Sequence, residues 1–292
     1  MIQYDPKSLL GVLFRVRGSI AARLLPRTLA AAAVGLAAVF LLRHWPFKLP
    51  PLAHTLIGVA LGLLLVFRTN ASYDRYWEGR KLLGSMVNRT RDIARQLRTY
   101  VTAPDDVREA AFAEVERGLR LFYALTVMSL RSETDLGTVD ILRPDERAEL
   151  EPLKARAPMA LVWVSRRIEA LAKAGHLRDV HVQVIDASVT ALMDSLGGCE
   201  RIARTPVPFA YAQHIKWFVT LFCFTVPFVM VDSMSWGTPV AAAILAFALY
   251  GIDEIGVEIE DPFGDDPNDL PMEAVGETIG RSVQDLLATK AQ

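Results

Sequence analysis

The chain has 292 residues, 52% of them hydrophobic, with 32 Lys and Arg set against 33 Asp and Glu for a formal net charge of -1. Charge this evenly balanced removes any global bias towards nucleic acid or anionic lipid. The two cysteines, Cys199 and Cys223, lack metal-ligand spacing, and no disulfide is expected between them in a reducing cytosol. No phosphate-cradling glycine loop, HExxH pair or nucleophile elbow is present.

The N-terminal segment, residues 1–27, carries basic residues, among them Arg17, Arg23 and Arg27. It lacks a small-residue cleavage pattern after a short apolar core, so it is expected to be retained rather than removed as a signal peptide. An apolar run follows at residues 28–42, then a proline-rich turn with Pro46, Pro50 and Pro51, then a second run at residues 52–67. That run stops abruptly at Arg68, and charges resume at helical spacing through Arg75, Arg80, Lys81, Arg89, Arg91, Arg95 and Arg98. One long helix that leaves a bilayer and continues into water explains the pattern. A spanning helix needs about 20 apolar residues, and this run is slightly short, so a buried core helix is the competing reading.

Two further apolar runs, residues 217–231 and 237–252, form a second hairpin around Asp232-Ser233-Met234-Ser235-Trp236. Four such runs in a chain of mean hydropathy +0.25 are hard to place in a soluble domain. Trp45, Trp217 and Trp236 lie at run ends, where amphipathic rings favour the headgroup layer. Lys and Arg flank the runs on the side of the termini and the middle segment, whereas the first hairpin turn holds only Arg43 and Lys48 and the second holds none. The positive-inside rule then puts both termini in the cytoplasm, in a multi-pass protein of the plasma membrane or cell inner membrane.

The middle segment, residues 68–214, reads as helical throughout. Apolar positions recur every three or four residues over 80–100, 107–130, 159–174 and 179–197, the amphipathic pattern of packed helices. Loop signals fall at residues 102–106 and 136–144, Gly175 separates the third helix from the fourth, and the fourth is expected to end near Gly197-Gly198. No period-two stretch is long enough for a strand. The expected fold is an all-α integral membrane protein. Its parts are an N-terminal segment (1–27), a transmembrane hairpin (28–67, second helix 52–67), a helical cytoplasmic domain (68–214), a second hairpin (215–255) and a C-terminal segment with an acidic loop (256–292).

Four motifs, in order around the two hairpins, carry a resemblance. They are Arg17-Gly18-Ser19-Ile20; Arg68-Thr69-Asn70-Ala71-Ser72-Tyr73-Asp74-Arg75-Tyr76-Trp77-Glu78; Gly198-Cys199-Glu200-Arg201-Ile202 followed by Thr205-Pro206-Val207-Pro208-Phe209-Ala210-Tyr211; and Glu260-Asp261-Pro262-Phe263-Gly264-Asp265-Asp266-Pro267-Asn268-Asp269-Leu270-Pro271. Together they resemble the bestrophin family, particularly its bacterial branch, over nearly the whole chain. The resemblance implies a homopentameric ion channel whose second transmembrane helix lines an apolar neck on the five-fold axis, with a vestibule and an exit constriction below. Its partners would be permeant small ions, the lipid bilayer and four further copies of itself, with no nucleic acid.

Counting from the Arg68/Tyr73 anchor places the neck at Leu52, Leu56 and Ala60, which are spaced by four and so share a helical stripe. Packing against neighbouring helices is the alternative for these side chains. Ala60 departs from the bulky apolar residue usual in the family at that level. Counting back from Pro208 places the exit constriction at Val180, and a slip of one residue would give His181. In eukaryotic members the acidic loop binds calcium. Here Asp265, Asp266 and Asp269 keep oxygen ligands, but Pro267 and Asn268 replace two acidic positions, so a structural turn is favoured over a calcium site. No cofactor is otherwise expected.

Glu200 and Arg201, with Arg68, Asp74, Arg75 and Glu78, suggest a charged cluster beside the membrane, read mainly as ion pairing at i, i+3 and i, i+4. Closeness to the bacterial motifs points to monovalent cations, with a chloride or anion channel of the same architecture as the alternative. An enzyme is not expected, because His54, His176, His181 and His214 have no nucleophile or carboxylate partner at motif spacing. A non-conducting scaffold or sensor would share the helices but lack an open axial path.

Overall fold

A computed structural model describes residues 5, 7–15, 18–45 and 47–288. Arg17 of the first motif and Pro46 of the first turn lie outside the described residues. Ten α-helices are present among those described: α1 (Leu9–Leu13), α2 (Ala21–His44), α3 (Pro51–Tyr100), α4 (Asp105–Leu130), α5 (Pro144–Leu150), α6 (Ala157–Lys173), α7 (Asp179–Arg204), α8 (Phe209–Met234), α9 (Thr238–Glu258) and α10 (Met272–Ala288). No strand occurs among the described residues.

Start signals account for four of the helix starts. Pro51 opens α3 and Pro144 opens α5, where a missing N–H costs nothing because the first turn has no partner for it. Asp105 and Asp106 begin α4 and Asp179 begins α7, each placing negative charge at the positive end of the helix dipole. Three stretches are long and apolar enough to cross a membrane: Ala21–His44, the apolar part of Pro51–Tyr100, and Phe209–Glu258. The last comprises α8, a 3-10 turn at Ser235–Gly237 and α9.

The chain forms two compact units, Met1–Tyr76 with Pro206–Asp269, and Trp77–Thr205 with Leu270–Gln292. Helix α3 contributes residues 51–76 to the first and 77–100 to the second. In the first unit α2 packs along α9 and α8, and α8 packs on α9. Its core is built from Leu24 and Ala31 of α2, Leu61 and Leu65 of α3, Ile215, Val219 and Phe222 of α8, and Ala246 and Tyr250 of α9. Arg27 of α2 bonds Glu254 of α9 at 2.9 Å, and Arg23 pairs with Glu258, so charge fixes the end of a contact that apolar packing makes along its length.

In the second unit α4 packs on α6, α10 and α7. Leu83, Met86, Ile93 and Leu97 of α3 are buried, as are Leu119, Phe122 and Leu125 of α4, Leu161 and Val164 of α6, and Ile185, Leu192 and Leu196 of α7. Several features differ from the sequence expectation, among them α1 and the first turns of α2 within the N-terminal segment, and two more bear on packing. Helix α7 runs through Gly197-Gly198 to Arg204. A Cβ on Gly198 would lie 2.8 Å from the Leu82 side chain, so this glycine allows close helix contact instead of ending the helix. Helix α10 was not anticipated within the C-terminal segment. Its buried Met272, Ile279 and Val283 lie on one face, and the Tyr123 hydroxyl donates to the Met272 carbonyl oxygen at 2.9 Å, tying its start to α4.

Candidate ion pathway

The apolar half of α3 has two faces of opposite environment. Leu61 and Leu65 are buried, and Ile57 and Leu64 pack partly against the same core. His54 on the same side meets the Thr225 hydroxyl at 3.1 Å and lies beside the Phe222 ring. The other face has no partner among the described residues: Leu52 and Leu56 are 68% and 62% exposed, and Ala60 is exposed. Val59 and Leu63, which the four-residue spacing passed over, are exposed as well. The helical period of 3.6 brings them onto the stripe with Leu52 and Leu56, so the signal was present in the sequence. An apolar helix with one face packed and one face open can offer the open face to lipid, to another copy or to an axial path.

At the end of this stripe α3 meets a buried charge network. Arg68 is only 2% exposed, with its Nε 3.4 Å from Asp253 Oδ1 and its Nη2 3.6 Å from Glu260 Oε2. Lys216 of α8 approaches Asp253 from the other side at 3.1 Å. Glu260 also accepts from the Val207 backbone N–H at 3.0 Å, and Arg75 Nε donates to the Glu260 carbonyl oxygen at 3.1 Å. Gly256 makes room for the guanidinium, since a Cβ there would lie 3.3 Å from Arg68 Nε.

The charged cluster expected beside the membrane is therefore distributed differently. Arg68 binds acids on and after α9, not helix-surface neighbours. Within the second unit Arg201 pairs with Glu78 at 2.5 Å, and Glu200 bonds Arg204 and the Ser129 hydroxyl, each at 3.2 Å. Of these pairs, Arg204–Glu200 has the i, i+4 spacing.

Val180 is the second residue of α7 and is 54% exposed. Its neighbour His181 is engaged: the ring stacks on Tyr100 with centroids 4.1 Å apart, and Arg178 Nη2 donates to its Nε2 at 2.9 Å. Of the two residues considered for the exit constriction, Val180 is the one left open.

The acidic loop is wired as a turn. Asp269 is buried, and its carboxylate accepts the Asp266 backbone N–H at 2.7 Å, while the Asp269 N–H donates back to the Asp266 carbonyl at 3.0 Å. Burial pushes the Asp269 carboxyl up to about 6, against the opposing pull of that N–H bond, and nearby Asp266, Asp261 and Glu258 push the same way as burial. Asn268 donates to the Gly18 carbonyl at 3.1 Å and to Glu258 at 3.2 Å. Asp265 and Asp266 are exposed, and among the described residues no three acidic, His or Cys side chains are arranged to hold a metal. A calcium ion needs six to eight converging oxygens. With the Asp269 carboxylate committed to the turn, these residues do not fit that requirement.

A family model described as bacterial/fungal bestrophin protein matches residues 1–285. A voltage-dependent anion channel-forming protein of a Nostoc species is 36% identical over 277 residues, covering 94% of this chain and 90% of the relative. One of the same description from Ralstonia nicotianae is 36% identical, with 93% and 89% covered. The crystal structure of a bacterial bestrophin homologue from Klebsiella pneumoniae superposes with a TM-score of 0.83 at 29% identity, covering 94% of this chain and all of that one. The match in sequence spans both compact units and the match in structure spans nearly all of the chain, so this protein belongs to the bacterial bestrophin family.

Proposed function

We propose that the protein is a homopentameric ion channel of the inner or plasma membrane, with α3 at its centre and no enzymatic activity. The observation that carries this reading is the unpartnered stripe of Leu52, Leu56 and Ala60 on a helix whose opposite face is packed. Five copies of that stripe would make an apolar neck that passes or blocks ions through its wetting, without binding them. Val180, exposed at the start of α7, supports a second constriction at the exit. Both termini on the cytoplasmic side follow from the basic residues that flank the runs.

The names of the relatives favour anions over the monovalent cations that the motifs suggested. The test is purified protein in planar bilayers, where discrete unitary currents are expected and asymmetric NaCl gives the sign through the reversal potential. A correctly assembled protein that stays electrically silent across voltage would overturn the channel in favour of a scaffold or sensor.

A further inference from the structure

Within the second unit, the exposed side of α3 holds a hollow of about 500 Å³ lined by Trp77, Arg80, Lys81, Gly84 and Asn88, among others. Trp77, Lys81, Gly84 and Asn88 are spaced by four, three and four, so they form one helical face. Gly84 supplies the recess, and Arg80 folds towards it: Nη1 lies 3.4 Å from where a Cβ on Gly84 would stand.

The charges around this hollow do not cancel. Glu78 is taken by Arg201 at 2.5 Å, and Asp92 is shared by Arg89 at 3.0 Å and Arg95 at 3.5 Å. Arg80 and Lys81 are exposed, and among the described residues neither has an ion-pair partner. Each chain therefore presents two uncompensated positive charges beside an indole and an amide that can donate hydrogen bonds.

This face and the apolar stripe belong to one helix, α3. We propose that Arg80 and Lys81 are the specificity-determining residues of the ion path, forming a positive ring below the neck that concentrates anions and repels cations. The inference rests on the pentameric channel reading. Cyclic symmetry would repeat both charges at one level in every subunit, and a charged, walled space raises the local concentration of the opposite ion. The apolar neck would set how readily ions pass, and the ring would set which sign arrives.

The experiment measures reversal potentials in asymmetric NaCl for the parent and for R80E/K81E, with R80Q/K81Q as the milder variant and R80K/K81R as the charge-preserving one. Native mass spectrometry confirms the assembly of each. The expected result is an anion-selective parent whose chloride-to-sodium permeability ratio drops about tenfold, the low end of the range for field focusing, in R80E/K81E. A smaller drop is expected in R80Q/K81Q and none in R80K/K81R. The parent's selectivity should also weaken as salt rises and the Debye length falls below about 8 Å. A conducting, assembled R80E/K81E with the parent's reversal potential, or a cation-selective parent, would overturn the inference and leave the channel standing. A parent without current would remove both.

Discussion

Arg68 shows what a single residue does at the junction of apolar and charged helix. A guanidinium buried this completely is tolerable only because Asp253 and Glu260 face it, and removing one partner strands the other in a medium that solvates it poorly. Asp253→Asn or Arg68→Met should therefore lower stability by about 3–5 kcal/mol, the cost of breaking a buried pair. Thermal melting in detergent measures it, and a variant that melts with the parent would show that the network contributes little. Lys216→Met, which removes a half-exposed partner from Asp253, should cost markedly less. Leu56 is a different case, because it touches little within its own chain. Leu56→Ala should leave melting nearly unchanged and raise unitary current by widening the apolar ring. An assembled variant that conducts like the parent would remove Leu56 from the neck. The sequence made the position of Arg68 visible as the end of an apolar run. Its partners were not visible, because they lie 185 and 192 positions away and only folding brings them near.

Helices were legible wherever one apolar stripe faced one core. α3, α4 and α6 emerged from spacing, and the ends of α4 and α6 fall close to where the pattern stops. α7 ran past its expected end because glycine can mark a close contact as well as a helix stop, and the two are alike in sequence. α10 was hidden by the acidic loop before it, although its Met272, Ile279 and Val283 keep helical spacing. The loop itself carries two predictions. With Asp269 capping the turn and Pro267 and Asn268 at formerly acidic positions, micromolar calcium should change neither melting temperature nor open probability. A shift that appears with micromolar calcium and vanishes in Asp266→Ala would make the loop a sensor. The second concerns pH. The Asp269 carboxyl titrates near 6 when folded and near 3.9 when unfolded, so the folded state holds the extra proton. Its contribution to stability is complete below about pH 4 and is lost as pH rises through 6. Asp269→Asn keeps an acceptor for the Asp266 N–H without the charge. Relative to it, the parent should lose melting temperature between about pH 4 and 7, and parallel profiles would count against the assignment.

At the scale of the whole molecule, the exposed apolar residues state a requirement that one chain cannot meet. Leu52, Leu56, Val59 and Leu63 on α3, Trp217 and Leu221 on α8, and Val240, Ile244 and Phe247 on α9 all lie open. Lipid can cover those on α8 and α9. On α3, the open stripe ends where charge begins, which suits a helix gathered with its own copies around an axis. An enclosed path on an axis requires closed cyclic symmetry, in which each subunit presents two different patches to its neighbours. The family resemblance supplies the number five. Composition and periodicity could not, because ring size depends on the angle between those two patches. Native mass spectrometry from mild detergent should therefore give a pentamer as the dominant species, and Leu56→Ala should preserve it, since the side chain would face the axis and not a neighbour's core. Monomers or dimers alone across mild conditions would count strongly against the ring. A pentamer lost in Leu56→Ala would instead move that stripe from the ion path into the subunit interface.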